Sequence, residues 1–188
     1  HQKLLERFNE VEGYAYQGEM LGVLNGLGLP VEMHQRVVGT LSGGERTRLS
    51  LAKLLLQKPD ILLMDEPTNG LDIPSKSQFR KAVTKYTRED STILISTHQV
   101  RDLENIIDPI IILDRQDVLL NASLEKISEK LYFDYSNEKK EGALYSEMTP
   151  GGNIQVMINA TGEESKVNIE ALFNAVHHHK NLIKEIML

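Results

Sequence analysis

The 188-residue chain contains no cysteine. That excludes a disulfide framework and any thiolate metal site. No apolar run approaches the length a helix needs to cross a bilayer, so no membrane span is expected. The opening stretch, HQKLLERF, has neither an initiating Met nor a signal-peptide profile. It reads as the start of a fragment or a processed chain, soluble and intracellular. There is no excess of positive charge either, since the formal net charge is −6. Domains that bind nucleic acid are usually basic, so no nucleic-acid partner is expected. No internal repeat and no low-complexity tract occurs. The length suffices for one sizeable core or two small ones.

What is present concentrates in residues 41–72, LSGGERTRLSLAKLLLQKPDILLMDEPTNGLD. Ser42 and Glu45 form an S-x-x-E capping box ahead of a helical run. The first N–H groups of that helix, at Gly43 and Gly44, carry no side chain to obstruct an approaching group. Orphan N–H donors and the helix dipole both favour an anion there. Leu49, Ala52, Leu55 and Leu56 follow at helical spacing, and Lys58 and Pro59 end the helix. Residues 61–64, ILLM, are a short unbroken apolar run, the pattern of a strand buried on both faces. Asp65 and Glu66 come next. Open α/β sheets bind ligands at the carboxyl ends of their strands. Adjacent residues there point in different directions, so one acid can face a metal and the other a water. An isolated Asp-Glu pair would be a solvated turn; a glycine-lined helix start and a buried strand in front of it argue for a site.

These residues resemble the ATP-binding cassette (ABC) ATPases. LSGGE at 41–45, ILLMDEP at 61–67, GLD at 70–72 and the histidine of ISTH at 95–98 occur in that family's order. The resemblance covers about residues 1–131. It implies an α/β fold: the C-terminal part of a P-loop NTPase-like ABC core, with mostly parallel strands at 61–64, 92–96 and 110–114 after a helical subdomain. By position it implies that Leu41, Ser42, Gly43, Gly44 and Glu45 form the signature motif, which contacts the γ-phosphate of ATP held by the opposite subunit. Asp65 would hold Mg²⁺ through water. Glu66 would be the general base, Asp72 the D-loop acid at the dimer seam, and His98 the γ-phosphate sensor. The implied cofactors are ATP and Mg²⁺. The implied partners are a second copy or a paired ABC subunit, and a membrane permease that would hold the chain at the inner membrane face.

No G-x-x-x-x-G-K-[ST] occurs, the loop that cradles phosphates in P-loop ATPases. The family's Q-loop glutamine has no clear match, Gln2 and Gln17 being candidates by letter alone. The chain therefore resembles a cassette without its nucleotide-cradling half, and the fragment alone is expected to be inactive.

Around the motifs, Leu4, Leu5, Phe8 and Val11 have helical spacing. Gly13 to Gly18 break it, and Met20, Val23, Leu24 and Leu27 form a second stripe ended by Gly28 and Pro30. Phe79, Ala82, Val83 and Tyr86 give a helix face after Pro74. Residues 92–96 read as another buried strand, Val100 to Ile107 as a helix, and 110–114 with 117–121 as a strand pair. Ser123 opens one more helix, to Leu131. Residues 134–142 read as a polar linker. Beyond it lies an appended α+β unit: strands at 143–148 and 154–158, then a helix from Asn168 carrying Ile169, Leu172, Phe173 and Val176. The expected domains are thus 1–131, the partial ABC ATPase, and 132–188, a linker and extension of unknown role. His177, His178 and His179 point three ways on a helix, unlike ligands at i, i+4, and read as a polar surface stretch.

Four readings compete. The leading one is the ATP-hydrolysing subunit of an ABC transporter, driving a permease by head-to-tail dimerisation. The alternative is a soluble ABC-F type ATPase acting on the ribosome, with a similar signature-to-Asp65 stretch. Against it stand Gly70, where that group usually has His, the STHQVRDLE run and the acidic charge. A chromosome-maintenance ATPase head is third, disfavoured by Pro67-Thr68 and His98. A non-catalytic interaction module is the remaining class.

Overall fold

The computed structural model describes residues 2–10 and 13–187. It divides into two compact units, His1–Asp102 and Leu103–Leu188.

In the first unit, helix α1 (Gln2–Glu10) buries none of its side chains, and Leu4, Leu5 and Phe8 are exposed; Val11, expected to continue that stripe, lies outside the described residues. Helix α2 (Tyr16–Gly26) begins inside the expected Gly13–Gly18 break. Two short 3₁₀ turns, Val31–Met33 and Val38–Thr40, lead to α3 (Gly43–Leu56). Strand β1 (Ile61–Asp65), α4 (Ile73–Tyr86) and β2 (Thr92–Ser96) complete the unit. Helices α2, α3 and α4 pack on one another around Val23, Leu27, Leu51, Ala52, Leu55, Phe79, Ala82 and Val83. The Tyr86 hydroxyl donates to the Gly22 carbonyl at 2.8 Å and ties the end of α4 to α2.

Strands β1 and β2 form a parallel pair in the register Ile61↔Thr92 to Asp65↔Ser96. The expected burial on both faces is corrected here. Leu62 and Met64 are buried, whereas Ile61 and Leu63 on the other face are 71% and 66% exposed. No residue of β2 is buried. Among the described residues this sheet has two hydrogen-bonded strands, and β1 has one buried face and one exposed face. The apolar run therefore alternates, as period-two geometry requires of a half-covered strand.

The helix expected from Val100 to Ile107 is also corrected: a 3₁₀ turn, Val100–Asp102, stands at its start. Ile106 N–H reaches back only to the Leu103 carbonyl, an i→i−3 bond. The Asp102 carbonyl, which a longer helix would use internally, accepts from the Arg80 guanidinium at 3.0 Å. A tertiary donor has replaced the helical one.

In the second unit, β3 (Ile110–Asp114) and β4 (Asp117–Ala122) are an antiparallel pair around Arg115, whose φ is +56°. Among the described residues parallel pairing is confined to β1–β2, and β3 pairs with its sequence neighbour β4, the strand pair expected there. A tight turn brings adjacent strands together antiparallel, whereas parallel pairing needs a crossover. Helix α5 (Leu124–Lys130) follows, its N-cap Ser123 as expected. The polar stretch from 134 opposed a strand, yet β5 (Leu131–Ser136) runs into it. Strand β7 (Gly152–Ile158) lies between β5 and β6 (Tyr145–Thr149), all antiparallel. Gln155 explains how polar residues enter this sheet. It is fully buried, its amide donates to the Asp134 carboxylate, Ser136 Oγ and the Glu138 carbonyl, and its Oε1 accepts from Lys140 N–H. Buried polar groups persist when their bonds are satisfied. Helix α6 (Ile169–His178), capped by Asn168 as expected, and α7 (Lys180–Ile186) end the chain. Phe173 is exposed and stacks on His177. Among the described residues no group of three or more His, Cys, Asp or Glu side chains could hold a metal ion. No helix among them is long and apolar enough to cross a membrane.

Candidate functional site

Apart from Asp72, the sequence-derived site residues fall into two clusters, both in the first unit. One is the start of α3. Ser42 has extended backbone and caps the helix: its Oγ accepts from Glu45 N–H at 3.3 Å, and the Glu45 carboxylate accepts from Ser42 N–H at 2.7 Å. The cap occupies only a lone pair of the serine oxygen, so its hydroxyl proton stays available to donate. Leu41 differs from its neighbours, because its side chain is buried and anchors the turn while Ser42 and Gly43 stay exposed. A Cβ added at Gly43 would meet nothing within 4 Å. At Gly44 it would meet Leu71 Cδ2 at 3.6 Å, so residues 70–71 lie against the start of the helix.

Two arginines, which the sequence alone did not single out, hold the approach to this cap. Arg46 donates to the Leu41 and Gly39 carbonyls at 2.9 and 3.2 Å, and Arg36 to the Thr40 carbonyl at 3.1 Å. The Ser42 N–H is the chief reason that the Glu45 carboxyl sits below its ordinary range. The contact with Arg36, at 3.4 Å, adds to it.

The second cluster stands at the carboxyl end of the parallel strand pair. Asp65 is the last residue of β1 and is exposed. Glu66 follows with φ +45°, a left-handed conformation uncommon for a side-chain-bearing residue. Its N–H still donates to the Ser96 carbonyl at 2.8 Å, which extends the ladder one step. The turn directs the Glu66 carboxylate at the segment after β2. Oε1 accepts from His98 N–H at 2.9 Å and lies 2.6 Å from His98 Nδ1. Oε2 accepts from the Thr97 hydroxyl at 3.0 Å. Desolvation pushes the Glu66 carboxyl up, but the His98 and Thr97 donors outweigh it and the group lies below its ordinary range. The structure therefore brings Glu66 and His98 together and adds Thr97. The only sequence signal for Thr97 was its place beside the histidine.

Asp72 joins neither cluster. It is the N-cap of α4 and accepts from Ser75 N–H at 2.9 Å. Ser75 hydrogen bonding holds its carboxyl low. Ser75 Oγ in turn accepts from Arg48 of α3 at 2.8 Å.

A family model described as ABC transporter matches residues 1–69. The ABC transporter ATP-binding protein NatA of Bacillus subtilis is 36% identical over 110 residues, covering 58% of this chain and 42% of that protein. These matches support an ABC ATPase. Within that family the resemblance is broad. ABC transporter F family member 3 of Arabidopsis thaliana is 31% identical over 115 residues, covering 61% of this chain and 16% of that protein. The crystal structure of a provisionally assigned cobalt transport ATP-binding protein aligns with TM-score 0.50 and 18% identity. It covers 79% of this chain and 55% of the other, a likeness of fold. The chain thus spans less than half the length of these curated relatives.

Proposed function

We propose that this chain carries the signature motif and the water-activating acids of an ATP-hydrolysing ABC transporter subunit. In this reading two copies, or this chain and a paired ABC subunit, close head to tail on ATP, and the motion drives a membrane permease. The observation that carries the reading is the Glu66–His98 pair: a carboxylate at the carboxyl end of a parallel strand, gripped through both oxygens.

Glu66 is the base that orients and deprotonates the attacking water. Its lowered pKa keeps it ionised at neutral pH, so it acts chiefly by orienting the water and accepting the proton as charge develops. His98 fixes the carboxylate through its backbone N–H and Nδ1, and a ring protonated on both nitrogens also donates from Nε2 to a phosphate oxygen. Ser42 and the open N–H groups at Gly43 and Gly44 receive the γ-phosphate of the partner's nucleotide.

Asp65 is the residue suited to Mg²⁺. It is an exposed hard oxygen donor, while the neighbouring Glu66 is engaged by His98 and Thr97. One carboxylate fits Mg²⁺, which keeps several waters and takes other ligands from substrate phosphates. When bound, the ion neutralises charge on the transferred phosphoryl group. Without the glycine-rich loop and its lysine, the 188-residue chain alone neither binds MgATP tightly nor hydrolyses it. Turnover by the chain above background, abolished by Glu66→Gln, would overturn that statement.

The deciding experiment on the intact ATPase is Glu66→Gln with MgATP, followed by gel filtration and phosphate release. Size and hydrogen bonding are kept while the base is lost. An ATP-trapped dimer with turnover reduced by ~10²–10⁴ is expected, the usual contribution of a general base. Near-normal hydrolysis would remove Glu66 from the mechanism.

The match to an ABC transporter F family member supports a second reading, a soluble ATPase acting on the ribosome. Co-purification of the intact protein with a permease, against co-sedimentation with ribosomes, separates the two.

A further inference from the structure

We propose that Lys76 is a positioning residue for the Glu66–His98 pair: from α4 it holds Gln99 and Asp102, and so keeps residues 97–102 closed as a clasp on both oxygens of the Glu66 carboxylate. The inference deepens the reading of Glu66 as the water-activating group and rests on it for its functional meaning.

The segment has little structure of its own to keep it in place. After β2 ends at Ser96 it forms only the single 3₁₀ turn Val100–Asp102. Helix α4 supplies what is missing. Lys76 Nζ lies 2.7 Å from Asp102 Oδ2 and donates to Gln99 Oε1 at 3.1 Å. Arg80, one turn further along α4, donates to the Asp102 carbonyl. The Lys76 and Asp102 side chains are 22% and 19% exposed. Their attraction is therefore screened less than that of a surface pair.

From Gln99 the order passes to the carboxylate. Gln99 N–H donates to Thr97 Oγ1 at 2.9 Å. A hydroxyl that accepts there directs its proton elsewhere, and it donates to Glu66 Oε2. His98, between the two, takes Oε1. Such a chain of hydrogen bonds is mutually reinforcing. Loss of its tether frees the whole segment, not one bond of it.

Lys76 also sits on the first turn of α4, and its own N–H donates to the Asp72 carbonyl at 2.9 Å. The acid expected at the subunit seam and the cation that holds the clasp thus share one turn of helix. A displacement of that turn reaches Glu66 through Lys76.

The test is nuclear magnetic resonance of the 188-residue chain, reading amide exchange and the His98 amide proton shift. Lys76→Met keeps the aliphatic stem and removes the charge. The expected result is at least about tenfold faster exchange at His98 and Gln99, the equivalent of ~1.4 kcal/mol of lost protection. The His98 amide shift should move toward its value in Glu66→Ala, where the acceptor is gone. Lys76→Arg should restore both, which a merely space-filling role would not require. The amides of Ala52 and Leu55 in α3 report the fold. Should they lose protection too, the pair Lys76→Met with Asp102→Leu leaves no unpaired charge and decides the matter in a folded chain. An unchanged His98 amide in either folded variant overturns the proposal. Because exchange reads the clasp directly, that failure is distinct from normal turnover by Glu66→Gln in the intact ATPase, which would overturn the role of Glu66 instead.

Discussion

The cap at Ser42–Glu45 and the clasp at Glu66, Thr97 and His98 do similar things by different means. Each holds a glutamate carboxylate below its ordinary range with N–H or O–H donors. In the cap the reciprocal partners are three residues apart. In the clasp they are 31 and 32 apart. The cap needs only a helix to start at Gly43. The clasp needs β1 and β2 in register, so that Asp65 lies opposite Ser96, and it needs the left-handed turn at Glu66. Local chemistry thus prepares a place for an anion, while tertiary structure alone places the acid proposed to activate water.

The largest effect that separates the two regions is expected from Gly43→Asp in the intact ATPase. Open space at this position accepts a side chain, and an acid in the first turn suits the helix dipole, so the fold survives. The added charge repels an incoming phosphate. ATP-driven dimerisation should weaken by at least about tenfold, an effect of ~1.4 kcal/mol, with binding of ATP to the monomer unchanged. Analytical ultracentrifugation beside nucleotide titration checks this. Collapse of monomer binding would show that the cap serves its own site, and the head-to-tail arrangement would be wrong.

A smaller effect sharpens the local side of the comparison. Ser42→Ala should cost ~1 kcal/mol of stability, the usual value of an N-cap. Asp72→Ala should cost a similar amount at α4. Thermal or urea unfolding of the chain measures both. A loss from Ser42→Ala that also loosened the His98 amide would mean that cap and clasp are not independent.

The smallest effect is the dependence on pH. Glu45, Glu66 and Asp72 all have carboxyls lowered by folding. A lowered group stabilises the folded state above its ordinary value, 4.5 for the glutamates and 3.8 for the aspartate. That contribution is lost as pH falls through the lowered value. Melting temperature should therefore drop on acidification below about 4.5. The drop should be shallower in Glu45→Gln, which keeps an acceptor without a titrating proton. An equal acid slope in that variant would remove Glu45 from the effect.

The sequence by itself determined the helix starts at Gly43, Ile73, Leu124 and Ile169, because each is set by a capping side chain three residues from the N–H it satisfies. It also marked Ser42, Asp65, Glu66 and His98, since their motifs are short and ordered. The β3–β4 pair was legible for the same reason, a tight turn between two apolar runs. What it did not show was which face of 61–64 would be covered, because an unbroken apolar run carries no phase and only neighbours choose the buried side. Nor did it show the strand entered by Asp134 and Ser136, whose polarity is satisfied by Gln155 some twenty residues away. The helix expected at 100–107 was lost to Arg80, and the clasp on Glu66 depends on Thr97, Lys76 and Gln99, which no spacing links. Hydrogen bonds between distant residues leave no period in a sequence. The caps and motifs were therefore written locally, whereas the covered faces and the grip on the Glu66 carboxylate were decided by the fold.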